Sequence, residues 1–241
     1  MSPIRVTVWN EYIHEQSDEK VRALYPDGIH ECLRQALAAE DVFVRTATLR
    51  QDAEHGLSKA VLGETDVLLW WGHVAHGEVA DTVAERVVHR VHEGMGFIPL
   101  HSAHMAKPFR RLMGTPCALQ WREAEERAHV WTVAPSHPIA QGVPLQFTLD
   151  REEMYGEVFQ IPKPDDIVFI TWFQGGNVFR GGVTFTRGAG KIFYFHPGHE
   201  TYESFYNEHV RRVLRNAVRW AAPPEARDFQ SNCHVSPLEA L

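Results

Sequence analysis

Asp66-Val67-Leu68-Leu69-Trp70-Trp71, followed at once by Gly72-His73-Val74-Ala75-His76, is the stretch that decides the fold. Its apolar run is short, unbroken and rich in branched and aromatic side chains. Strands with both faces covered read this way, and such strands belong to parallel sheets. Upstream, Ile4 to Trp9 (IRVTVW) reads as a first buried strand and Val42 to Leu49 as a second. Between them Ile29, Cys32, Leu33, Ala36 and Leu37 fall at helical spacing, which predicts an amphipathic helix over 28–40. A short helix is expected over Leu57–Leu62 and a longer one over Glu78–Glu93, with Val79, Val83, Val87, Val88 and Val91 on one face and Gly94 ending it. Gly96 to His101 (GFIPLH) then supplies a fourth strand. The β-α-β-α-β-α-β series predicts an α/β protein of doubly wound, flavodoxin-like type, with a mainly parallel sheet and helices on both faces.

The remainder is less regular. Strands are expected at Cys117–Trp121, His129–Val133 and Ile167–Phe173, and as a pair around Arg187-Gly188-Ala189-Gly190-Lys191 that ends in Lys191–Phe195. A last helix over 204–220 turns Phe205, Val210, Val213, Leu214, Ala217 and Val218 inward. Residues 1–222 read as a single α/β domain and 223–241 as a tail suited to docking on a partner subunit, so a homo-oligomer is expected. The 241 residues are 44% hydrophobic and carry a net charge of −7 with no basic stripe, which argues against a nucleic-acid partner. No basic leader and no 18-residue apolar run is present, so a cytoplasmic protein without a membrane partner is expected. Cys32, Cys117 and Cys233 are far apart, without metal or disulfide spacing.

Open α/β sheets bind ligands beyond the carboxyl ends of their strands. Seven of the fifteen histidines fall on loops at that edge: His14 after strand one, His73 and His76 after strand three, His101 and His104 after strand four, and His196 and His199 after the last. His73 and His76, at i and i+3, have the spacing to chelate a metal or merely to bond loop carbonyls. Glu152-Glu153-Met154-Tyr155-Gly156-Glu157 is the other candidate group, since carboxylates in an apolar region are costly to bury without a task. It reads equally as a solvated loop. Trp71, at a strand end beside the histidines, is the tryptophan most suited to meet a ligand.

The stretches WNEYIHE, YPDGIH, TDVLLWWGHVAH, EGMGFIPLHSAH, EEMYGE and GAGKIFYFHPGHETY span almost the whole chain in order. Together they resemble the ThuA-like family of trehalose-utilisation proteins, whose fold is that of class I glutamine amidotransferases. The resemblance implies a pocket containing His101, Glu153, Tyr155 and His199. It also exposes a departure: the amidotransferase nucleophile would stand after strand four, where this chain reads Leu100-His101-Ser102. Without a thiolate there, thioester chemistry on glutamine has no nucleophile.

The expected activity is therefore that of a sugar-catabolism enzyme. Its substrates would be trehalose-related or 3-keto glucosides, and its chemistry metal-assisted or His/Glu acid–base isomerisation, hydration or elimination. His101, Glu153, Tyr155 and His199 are the catalytic candidates, and Trp71, Ser102 and His14 the substrate-binding ones. His73, His76, His101 and His199 are the candidate ligands of a divalent metal, zinc first. A hydrolase with Ser102 as nucleophile and a non-catalytic sugar-binding or regulatory protein are the rival readings.

Overall fold

Strand β1 (Ile4–Asn10) is paired in parallel on one side with the edge strand β2 (Val42–Thr48) and on the other with β3 (Val67–Trp71). β4 (Gly96–Leu100) pairs parallel with β3, and β9 (Gly190–Phe195) parallel with β4. The strands predicted at 4–9, 66–71, 96–101 and 191–195 are thus parallel neighbours, as expected. The computed structural model describes residues 3–223 and 236–239; most of the predicted tail lies outside the described residues.

Beyond β9 the sheet turns antiparallel, through β8 (Val178–Arg187), β7 (Asp166–Phe173), β5 (Gln120–Thr132) and β6 (Gln146–Gly156), giving nine strands in the order β2-β1-β3-β4-β9-β8-β7-β5-β6. Two expectations are corrected here. The strands predicted at 117–121 and 129–133 are one strand, bent by register shifts between Arg122 and Ala128 that hid its continuity in the sequence. Glu152–Gly156 of EEMYGE are not a solvated loop but the buried end of β6, with Glu157 half-buried just past it.

Two short helices, α1 (His14–Ser17) and α2 (Glu19–Leu24), follow β1 and precede α3 (Ile29–Leu37). α3 packs against the C-terminal helix, here designated α7 (Glu208–Ala221), on one face of the sheet. α4 (Lys59–Gly63), α5 (Asp81–His92) and α6 (Lys107–Met113) pack together on the other. α7 approaches β4 so closely that a Cβ on Gly96 would stand 2.6 Å from the Ala221 carbonyl oxygen. Among the described residues no helix is long and apolar enough to cross a membrane.

The order 2-1-3-4-9 places the topological switch point between β1 and β3. The chain leaves β1 toward one edge of the sheet and returns, after β2, to its other side. Loops diverge there and open a crevice beyond the strand ends, where α/β proteins of this order bind ligands. His14 and His73 follow these two strands.

Candidate functional site

β4 runs directly into a 3₁₀ turn, His101–Met105, and His101 itself adopts φ +50°, a left-handed conformation costly for a side chain with a Cβ. This sharp strand-to-turn elbow is the kind of bend that holds a nucleophile in other α/β enzymes. Here it holds an imidazole with no solvent exposure. His101 Nδ1–H donates to the His196 carbonyl at 2.8 Å. Because a carbonyl can only accept, that proton is assigned. The other nitrogen, Nε2, lies 2.9 Å from Glu153 Oε2. A neutral ring would present a lone pair to a carboxylate there, so the contact requires a proton between the two atoms.

The pair's electrostatics agree with this geometry. Burial opposes the His101 charge, but the hydrogen bond and charge of Glu153, with Glu152 behind it, outweigh burial and raise the imidazole above its usual value. Burial likewise opposes the Glu153 carboxylate, yet His101 first and then His199 and His73 hold it below the usual range. Tyr155 stacks on the His101 ring at 4.8 Å and brings its hydroxyl to 3.3 Å from Nε2 and 3.1 Å from Ser102 Oγ. Burial, then the Glu153 charge, pushes the Tyr155 phenol far up, so it stays a donor.

Backbone anchors fix these groups. His196, fully buried, donates Nε2–H to the Glu153 carbonyl at 3.0 Å. Glu152, also fully buried, accepts from Gly198 N–H (2.9 Å), Ser204 Oγ–H (2.6 Å), Glu153 N–H (3.0 Å) and His199 N–H (3.3 Å). Burial raises the Glu152 carboxyl, and the His101 charge and these donors offset only part of that effect. Gly198 sits at φ +137°, and a Cβ on it would collide with the Phe205 ring. The Pro197-Gly198-His199 turn thus carries His199 Nε2 to 3.9 Å from Glu153 Oε2 and 3.8 Å from Glu200 Oε2. His199 Nδ1 lies 3.3 Å from Thr201 N–H and 2.8 Å from Thr201 Oγ1; the N–H can only donate and the hydroxyl can do the same, so Nδ1 is the acceptor and the ring proton is on Nε2, facing the carboxylates.

A second group forms the rim. His14 Nε2 and His73 Nδ1 are 3.1 Å apart; Glu200 Oε1 is 3.0 Å from His73 and 3.6 Å from His14. Their side chains are 19%, 27% and 5% exposed, so the rim is open on the histidine side and sealed below. Glu11 holds the loop that carries His73, accepting from Val74 N–H (2.9 Å) and Ala75 N–H (3.1 Å). Asn10 ties Glu15 at 2.7 Å and bonds the Tyr12 amide at 2.9 Å, shaping the turn that leads to His14. Glu123 on β5 is within electrostatic reach: partial burial, then the charges of Glu153 and Glu200, raises its carboxyl.

Of the sequence candidates, the fold gathers His101, Glu153, Tyr155, His199 and Ser102 in one cluster and sets His14 and His73 at its rim. Trp71 is corrected. It is fully buried and donates Nε1–H to the Gly198 carbonyl at 2.9 Å, so it is the floor of the turn rather than a platform for ligand. His76 does not join His73 as a ligand pair; it starts a separate 3₁₀ turn with Nε2 buried and without a hydrogen-bond partner among the described residues, and burial, then His73 and Arg110, depress it to about 4. Ser102 has Tyr155, not a histidine, as its hydroxyl partner, so it lacks the base a serine nucleophile needs. His104 donates to the Cys117 carbonyl at 2.7 Å, and burial above all depresses it to about 4. Cys117 is fully buried, and burial raises its thiol. The acidic group singled out in the sequence already contained Glu152, without a role of its own, whereas Glu200, Glu11 and Glu123 were not among the site candidates. The strand-end rule that singled out the histidines applied equally to Glu11 and Glu200.

Fold and site together define an α/β protein with a doubly wound parallel core and a buried histidine at the elbow after β4. The model of the trehalose utilisation family, ThuA, matches residues 5–221, and the chain belongs to that family. A ThuA-like protein from Parabacteroides merdae superposes with a TM-score of 0.69 at 15% identity, over 91% of this chain and 90% of that one. One from Bacteroides uniformis gives 0.64 at 14% identity over 91% of each, and a cytoplasmic protein from Salmonella typhimurium gives 0.59 at 13%, over 92% of this chain and all of the other. At these identities the likeness is one of fold. No curated protein matches the chain.

Proposed function

We propose that the protein is an enzyme of sugar catabolism that moves a proton beside the carbonyl of a neutral keto glucoside related to trehalose. The observation that carries this reading is the proton-sharing His101–Glu153 pair, buried at the elbow with a phenol against it. His101 keeps Glu153 ionised in a site that would otherwise neutralise it, so a desolvated carboxylate is available as base. Glu153 takes the C–H proton next to the carbonyl, and the electron pair moves onto the carbonyl oxygen. The Tyr155 hydroxyl and His199 Nε2–H are the donors placed to meet that oxygen. In the enediolate so formed, the α-hydroxyl proton passes to the former carbonyl oxygen and Glu153 returns its proton to the former carbonyl carbon, which gives isomerisation. Departure of a β-hydroxyl or alkoxyl that takes up the Glu153 proton as it leaves gives elimination.

A neutral substrate follows from charge. Among the described residues the pairs made by Glu153 and Glu200 are all with histidine, and Glu123 adds a further carboxyl at the mouth. A phosphorylated sugar would meet acids without a lysine or arginine to bind it. Family membership supports trehalose-derived sugars as the source.

The test is exchange. A 3-keto glucoside incubated with the protein in heavy water should lose its C–H signals beside the carbonyl in NMR, and Glu153→Gln should slow this by roughly 10²–10⁴-fold. Exchange no faster than in buffer, or unchanged in a folded Glu153→Gln protein, would sink the proposal.

A further inference from the structure

The rim group of His14, His73 and Glu200 is not explained as a hydrogen-bonded cluster. His73 Nδ1 carries at most one proton, yet it stands 3.1 Å from His14 Nε2 and 3.0 Å from Glu200 Oε1 at once. If it is protonated, it must divide that proton between two acceptors; if not, its lone pair faces a carboxylate. The second carboxylate oxygen, Glu200 Oε2, is buried and has no hydrogen-bond partner among the described residues. The pairs Glu200 makes there are to imidazoles only, His14, His73 and His199, each charged only if protonated. A buried anion in this position lacks a permanent counter-charge.

A cation between the three atoms removes the proton conflict at His73 Nδ1 and supplies Glu200 with the missing counter-charge. Bonds of about 2.0–2.2 Å from a tetrahedral ion to nitrogen and oxygen place ligand atoms about 3.3 Å from one another. The three separations here, 3.0, 3.1 and 3.6 Å, bracket that spacing. Two of the ligands come from the loops after β1 and β3, on either side of the switch point where this topology opens its crevice. The inner group of His101, Glu153 and His199 also brings three ligand atoms close together. Its donors, however, are already engaged: His101 Nε2 shares a proton with Glu153, and His199 Nε2 carries one because Nδ1 accepts from Thr201.

We propose that His14 Nε2, His73 Nδ1 and Glu200 Oε1 form a three-ligand site for one borderline divalent cation, zinc above all, with its open position toward the pocket mouth. Two imidazoles and a carboxylate suit zinc, cobalt or iron rather than magnesium or calcium. Three protein ligands leave one position for water or a substrate oxygen, the arrangement of zinc sites that do chemistry rather than hold structure. His73 lies 5.5 Å, ring to ring, from His199 and 6.3 Å from His101, so an ion here would border the proton-transfer pair without displacing it. The inference redistributes the metal ligands expected from sequence: His73 stays, His14 and Glu200 join it, and His76, His101 and His199 leave.

The experiment uses the full chain without a histidine tag, stripped with chelator and titrated with Zn²⁺ by calorimetry and with Co²⁺ by visible absorption. One equivalent should bind, and Co²⁺ should show the intense d–d bands of a four-coordinate site. His14→Gln, His73→Ala and Glu200→Gln should each weaken Zn²⁺ by about 100-fold or more. Circular dichroism confirms that each variant is folded; His14→Gln, on the exposed rim, is the one least able to disturb the core. Glu153→Gln should bind Zn²⁺ as the parent does, so failure of the proton-transfer reading leaves this result untouched. No tight binding by the parent overturns the proposal. So does loss of binding in Glu153→Gln with retention in His14→Gln, which would move the ion to the inner group.

Discussion

Replacing Glu153 tests the central pair without any knowledge of substrate. His101 is fully buried and Glu153 4% exposed, and their contact is a single 2.9 Å bond. Glu153→Ala leaves the imidazole with only the Tyr155 hydroxyl near Nε2, and orphaning one partner of a buried pair costs about 3 kcal/mol. Glu153→Gln differs in kind. The ring can lose its second proton and accept from the new amide, so at about pH 8.5 the cost should stay near 1 kcal/mol. The pH dependence carries the sign. The raised His101 pKa means its contribution is fully present below the unfolded value of about 6.5 and is lost as pH rises through the folded value. The lowered Glu153 pKa means its contribution is present above about pH 4.3 and is lost as pH falls through the folded value. The pair therefore stabilises most between roughly pH 4.3 and 6.5. In Glu153→Gln the main group opposing burial at His101 is gone, leaving Glu152 and the His196 carbonyl, so its pKa falls and acid destabilises. The stability gap between parent and variant, from urea unfolding, should thus widen from about pH 8.5 to about 5.5, by about 1.4 kcal/mol per unit separating the two His101 values. A gap that stays flat, or a His101 ring still protonated at neutral pH in the variant by NMR, would refute the shared-proton argument.

Acid should unfold the protein partly through His104, whose folded value of about 4 lies below the unfolded value of about 6.5. Its contribution is full above about pH 6.5 and falls by about 2 kcal/mol by pH 5. His104→Asn, which keeps an N–H for the Cys117 carbonyl, should flatten that slope in urea midpoints; an unchanged slope removes His104 from the account. Glu152→Ala strips four donors of their acceptor and should cost about 3–5 kcal/mol, with faster amide exchange at Gly198 and His199. A loss under about 1 kcal/mol would mean the turn is held otherwise. Cys117→Ser should leave fold and turnover nearly unchanged, and peptide mapping should find Cys117 unmodified by a glutamine-analogue reagent. Stoichiometric labelling there would restore an amidotransferase nucleophile.

The parallel half of the fold was legible in the chain because its inner strands β3 and β4 are buried on both faces and so are written as unbroken apolar runs: Val67–Trp71 and Gly96–Leu100 admit no solvated residue. The antiparallel half was not. β5 exposes Gln120 through Glu125 and is bent within that stretch, so neither alternation nor apolar continuity marks it as one strand. Local sequence also identified the histidines at the strand ends, because the rule that loops beyond carboxyl ends bind ligands needs only the strand positions. It could not distribute their roles. His101, His104 and His196 all lie just beyond strand ends, yet His101 meets a carboxylate while the other two meet carbonyls. That difference arises from β6, which reaches the site across the antiparallel strands, and from the proton each partner demands. Glu200 shows the same limit: one residue past His199, it becomes a site residue only because β1 and β3 are neighbours. The pairing of distant strands, and the desolvation it imposes on groups brought together, exists only in the folded chain.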